Sequence, residues 1–162
     1  LFPYTTLFRS GLYIPMTLIV CSLCEQRQPT SAYVWNKANN RYNSQCRGCC
    51  AIEQRRRNST KEGRVKFCVA KARNRKHICT LTYEEALYLW DLQGGKCALS
   101  GAPLSSEGNS PYTASLDRKD SSKGYTADNV QWVCWIVNKM KMEWSQNEFL
   151  SWVHAIADNT RN

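Results

Sequence analysis

The sequence predicts an α+β protein in three parts: a small cysteine-rich module, a basic linker, and a domain ordered helix, β-hairpin, helix, helix. Three observations carry this. Two C-x-x-C pairs stand near one end, lysine and arginine crowd the next stretch, and two helices with capping signals bracket a pair of strand-like runs. With 162 residues, 43% of them hydrophobic, the chain can hold one ordinary domain or two small ones, and its apolar content excludes a disordered protein.

The opening "LFPYTTLFRS" resembles the in-frame translation of a sequencing-library adapter. Residues 1–15 are therefore expected to be a non-native leader, with Met16 as the natural start and "MTLIV" as a strand running into Cys21. The apolar run "GLYIPMTLIV" is too short for a membrane span and has no small-residue cleavage site. Nine cysteines without a secretory signal point to metal or free thiols in a reducing cytoplasm.

Residues 16–57 form the expected metal module. Cys21/Cys24 and Cys46/Cys49 are separated by 21 residues, and four thiolates in two such knuckles suit a tetrahedral, structural Zn²⁺ in a zinc-ribbon-like unit. Cys50 could stand in for Cys49. The aromatic residues Tyr33, Trp35 and Tyr42 are expected to pack around the metal rather than stack on bases.

Residues 58–79 read as a basic linker, or as a helix that firms up only on a polyanion. Residues 47–76 hold eleven Lys/Arg against two Glu, which accounts for the whole formal charge of +9. Such focused charge is the footprint of a chain that tracks phosphates. The candidate contacts are Arg55, Arg56, Arg57, Arg64, Lys66, Lys71, Arg73, Arg75 and Lys76, joined later by Lys123, Lys139 and Lys141.

Residues 80–158 form the second domain. Thr82 and Glu85 make a capping-box pair, Tyr83, Leu87 and Trp90 follow at helical spacing, and Gly94 and Gly95 stop the helix. At the far end Ser145 and Glu148 repeat the pattern, with Phe149, Trp152, Val153 and Ile156 as an apolar stripe; both stripes are expected to face a core. Between them lie the strands "YTASLDR" and "NVQWV" and a helix over "CWIVNKMKM". Cys97 and Cys134 read as buried thiols, and His77 and His154 stand far from the hairpin.

The hairpin carries the chemistry. In "SLDRKDSSKGYTADNVQWVCWIVNKMK", the first strand carries Asp117 and the helix after the second strand carries Asn138. If the helix packs back across the hairpin, the two present hard oxygen donors suited to Mg²⁺.

These residues, from Leu116, Asp117 and Arg118 through Asn129, Gln131 and Trp132 to Asn138 and Lys141, resemble the HNH or His-Me finger endonucleases. The likeness is greatest to phage-type members related to recombination endonuclease VII and to homing nucleases. The N-terminal cysteine segment is similar to the zinc module that often precedes such domains. The resemblance implies a ββα-metal domain flanked by helices and a metal-dependent DNA endonuclease, phage-encoded and at work in a bacterial cytoplasm. It further implies duplex or branched DNA as partner, with structural Zn²⁺ and catalytic Mg²⁺ or Mn²⁺. It gives Asp117 and Asn138 as metal ligands and Asn129 as the residue that orients the base. At the family's His position stands Arg118, which stays protonated and cannot act as a base. Arg118 could clamp the scissile phosphate instead, leaving water activation to the metal or to a neighbour, Asp120 before Tyr125. The missing His motivates the alternative, a catalytically inactive DNA- or RNA-binding protein on the same scaffold.

Overall fold

A computed structural model describes residues 17–161. The adapter-like stretch and the expected start at Met16 lie outside the described residues. Short strands and helices follow one another in runs, an α+β arrangement, and the chain divides into two compact units with the division after Arg55.

In the first unit, β1 (Leu18–Val20) pairs antiparallel with β2 (Arg27–Pro29), and Cys21 and Cys24 sit in the turn between them. A second small ladder joins β3 (Trp35–Asn36) to β4 (Arg41–Tyr42), where the Trp35 and Tyr42 rings meet edge to face at 4.9 Å. The helix α1 (Arg47–Asn58) then carries Cys49 in its first turn. Among the described residues this unit has no large aliphatic core. Cys21, Cys46, Cys49 and Tyr33 are the buried residues, with Ile19, Ala32 and Tyr42 packed on them. Tyr33 donates its hydroxyl to the Ile19 carbonyl at 2.9 Å and fills the interior as expected, whereas Trp35 stays exposed.

The second unit opens with a correction. The segment expected as a linker forms α2 (Lys61–Arg73), whose Thr60 cap accepts the Gly63 N–H at 3.1 Å. Val65, Cys68, Val69 and Ala72 recur along it at i, i+3, i+4 and i+7 and are buried. The stripe is narrow and small, so lysine and arginine mask it in any average over the segment, yet it is enough to seat the helix on the core.

α3 (Tyr83–Leu92) follows with its capping box formed, and Gly94 and Gly95 take the left-handed φ values of +62° and +67° that end it. β5 (Ala114–Arg118) and β6 (Val130–Cys134) pair antiparallel, with Asp117 opposite Gln131. α4 (Trp135–Lys141) and α5 (Gln146–Asn159) complete the unit. Its core joins α2 and α3 to one face of the hairpin through Val65, Val69, Leu81, Ala86, Trp90 and Trp132. The two tryptophans meet edge to face at 5.1 Å, and the Trp132 indole N–H donates to the Ala86 carbonyl at 2.8 Å. Gly124 is required by close approach: a Cβ there would lie 2.3 Å from the Ile78 carbonyl, where the chain bridges Cys79 to Tyr125.

The α5 stripe departs from expectation. Phe149 is buried, but Trp152 and Ile156 are about 60% exposed. Amphipathic spacing marks a face able to be covered and does not say that this chain covers it.

Candidate functional site

The Sγ atoms of Cys21, Cys24, Cys46 and Cys49 all lie within 4.8 Å of one another. Two turns make this possible. The β1–β2 turn presents Cys21 and Cys24, and the start of α1 presents Cys46 and Cys49. Backbone amides point at the sulfurs: Cys46 N–H donates to Cys21 Sγ at 3.3 Å, and Cys49 N–H to Cys46 Sγ at 3.5 Å. The Gln28 amide adds contacts to Cys46 and Cys24 at 3.7 and 3.9 Å. These amides, those of Cys24 and Cys46 above all, draw the Cys21 thiol down to about 6. The hydrogen bond to Cys46 and burial push Cys49 up to about 12. Four thiols packed this closely cannot all ionise without a cation among them, and the set fits a tetrahedral thiolate centre. Cys50 turns away to the Gln45 carbonyl at 3.7 Å, so the open choice falls on Cys49. Among the described residues this is the one group of three or more His, Cys, Asp or Glu so placed.

The hairpin and loop of the second unit are ordered by polar contacts that sequence reasoning did not foresee. Asn129 clamps the 120–124 loop: its carbonyl accepts the Asp120 N–H at 3.0 Å, and its amide donates to the Asp120 and Gly124 carbonyls at 3.0 and 2.9 Å. Asp120 closes the turn itself, accepting the Ser122 hydroxyl at 2.6 Å and pairing with Lys123 at 3.3 Å. The Ser122 contacts hold its carboxyl below the usual range. Arg118 donates to the Lys123 carbonyl at 2.8 Å and lies 5.2 Å from the centre of the Tyr125 ring.

Asp117 is buried, and both of its oxygens are engaged. One pairs with Lys141 Nζ at 3.1 Å and the other accepts from Gln131 Nε2 at 2.9 Å. Lys141 also donates to the Arg118 carbonyl at 2.8 Å, and Gln131 bridges on to Gln146. Lys141, expected among the exposed phosphate contacts, is therefore corrected: it is fully buried and bolts the end of α4 to the hairpin. Asn138 turns its amide to Ser115 Oγ at 2.7 Å and to the Leu116 carbonyl at 3.1 Å. Asp117 and Asn138 lie on the strand and helix that the spacing predicts but share no partner. As arranged, an ammonium and an amide each occupy one Asp117 oxygen, and the Asn138 amide is turned to Ser115 and Leu116 rather than toward Asp117.

Beside the hairpin, α2 presents a cleft lined by Arg64, Lys71 and Arg75 together with Ser115, Tyr125 and Trp135. Arg64 donates to the Ala114 carbonyl at 2.8 Å, and Arg75 bonds the Tyr125 hydroxyl. Lys66 lies over the Tyr83 ring at 5.2 Å and Arg73 reaches the Leu81 carbonyl at 3.3 Å. Arg55, Arg56, Arg57, Lys76, Lys123 and Lys139 are exposed. Cys97 and Cys134 are buried thiols, as expected. Trp135 and Gln146 were missed, and Gln131 was named in the motif but not as a partner of Asp117. Trp135 sits one residue past a strand, where nothing in its neighbours signals exposure.

No protein-family model and no curated protein matches this chain. Among solved structures, that of the rare-cutting HNH restriction endonuclease PacI is similar over 87% of this chain and 94% of that one, with 21% identity and a TM-score of 0.39. A score that low does not assign a fold. Among the described residues no helix is long and apolar enough to cross a membrane.

Proposed function

We propose that the protein binds DNA, with the second unit holding phosphates in the α2 cleft and the first unit built around a structural Zn²⁺. The observation that carries this is the placement of Arg64, Lys71 and Arg75 around one cleft next to the hairpin. Three cations converging on a small recess make a phosphate site, whereas a merely solvated lysine-rich helix would spread them. Four clustered thiols favour Zn²⁺ over a harder ion.

Phosphodiester cleavage is the second reading. The observation favouring it is the strand, loop, strand and helix bearing Asp117, Arg118, Asn129 and Asn138 in the order of the HNH motif, directly beside the cleft. Against it stand Arg118 in place of the His base and the Asp117–Lys141 pair.

One set of measurements separates the two. Purified protein is expected to bind fluorescein-labelled DNA with an affinity that falls as salt rises, with a log–log slope of about −3 for three phosphate contacts. Lys71→Glu should weaken binding to every sequence. Plasmid incubated with the protein and Mg²⁺ or Mn²⁺ should stay supercoiled on the first reading. Nicking that disappears in Asp117→Asn, with the fold intact by circular dichroism, would establish the second. A protein with no salt-dependent affinity for DNA defeats both.

A further inference from the structure

Resting on the DNA-binding reading, we infer that the cleft takes DNA carrying unpaired nucleotides, with a base stacked on Trp135 and its phosphate held between Lys71 and Arg75. The cleft's free volume is about 50 Å³. That space admits groups of the size of a phosphate's oxygens. A base attached to a phosphate held there reaches the side chains that border the recess.

Two exposed aromatic side chains border it. Phe67 comes from α2 and Trp135 opens α4; they are 38% and 46% exposed, and both line the cleft. Each ring already has a cation at its face. The Arg64 guanidinium lies 5.3 Å from the Phe67 centroid and the Lys139 ammonium 5.7 Å from that of Trp135. A single exposed aromatic residue needs no explanation. Two of them flanking a phosphate-sized basic recess, with cations beside the rings, combine the two elements of a single-strand binder: charge that tracks the backbone and π-faces that take the bases. In duplex DNA the base faces are hidden in the stack, so only an unpaired nucleotide can use both elements together. Tyr125 has a different part. It is buried, and its hydroxyl fixes the Arg75 guanidinium at the cleft.

The test uses the full chain and two labelled probes of equal length, an oligothymidylate and a mixed-sequence duplex, read by fluorescence anisotropy at moderate salt. Wild type is expected to bind the single strand more tightly. Trp135→Ala should weaken single-strand binding on the order of tenfold and duplex binding far less, and Trp135→Phe should restore most of the single-strand loss. Lys71→Glu should weaken both probes. Equal effects of Trp135→Ala on the two probes, or none on the single strand, overturn the inference and leave the DNA-binding reading standing. So does tighter binding to duplex that Trp135→Ala abolishes, since the indole then acts as a wedge between base pairs. Failure of wild type to bind either probe overturns both.

Discussion

At the scale of single residues, the Asp117–Lys141 pair governs how the finger is understood. Both groups are almost wholly buried, and Lys141 meets the Asp117 carboxylate and the Arg118 carbonyl at once. Removing one partner leaves the other charge in the interior without compensation, which typically costs about 3–5 kcal/mol. Lys141→Met is accordingly expected to lose that much in urea unfolding followed by tryptophan fluorescence. Asp117→Asn combined with Lys141→Met should recover much of the loss, since it leaves two neutral groups. A loss under about 1 kcal/mol for Lys141→Met would show the pair to be idle. The same contacts explain why a DNA-cleavage assay on Asp117→Ala alone is ambiguous: that change removes a structural anchor along with any ligand. Arg118, read from sequence as the altered base position, has a local task in the structure, bonding the Lys123 carbonyl and lying beside Tyr125.

At the scale of elements, helix boundaries were the most legible feature. Thr82 with Glu85 and Ser145 with Glu148 form both halves of their capping boxes, because the contacts involved are local and need no tertiary partner. The Thr82 amide lowers the Glu85 carboxyl, and the Ser145 hydroxyl lowers that of Glu148. A carboxyl depressed in the folded state adds stability above its unfolded pKa of about 4.3, and that stability is lost as pH falls through the folded value. Glu85→Gln with Glu148→Gln keeps the capping geometry but removes the titration. The double variant's melting temperature should therefore fall less steeply than wild type's below about pH 4.3; parallel acid limbs would refute the assignment. The helix α2 was not legible. Its four buried side chains are small and its flanks strongly cationic, so composition suggested a linker while the i, i+3, i+4, i+7 stripe was already present.

At the scale of the whole molecule, the two units differ in what holds them. The first has a core of cysteines and one tyrosine, the second a core of aliphatic side chains around Trp90 and Trp132. On the zinc reading proposed above, a unit with so little apolar burial among its described residues is expected to need the metal to fold. Mercurial titration with a colorimetric zinc indicator is expected to release one Zn²⁺ per chain. Unfolding should be confined to the first unit, leaving the near-ultraviolet dichroism of the buried tryptophans intact. Collapse of that signal in step with metal release, or no metal at all, contradicts this picture. By itself the sequence determined the cysteine knuckles, the two strands of the hairpin, and the capped helices, because each follows from spacing within a few residues. Only the tertiary structure decided which cations face solvent, that Asp117 is held by Lys141, that α2 belongs to a core, and that Trp152 and Ile156 stay uncovered. Those outcomes depend on which distant groups meet, and a long flexible side chain such as lysine can reach either water or a buried carboxylate from the same position on its helix.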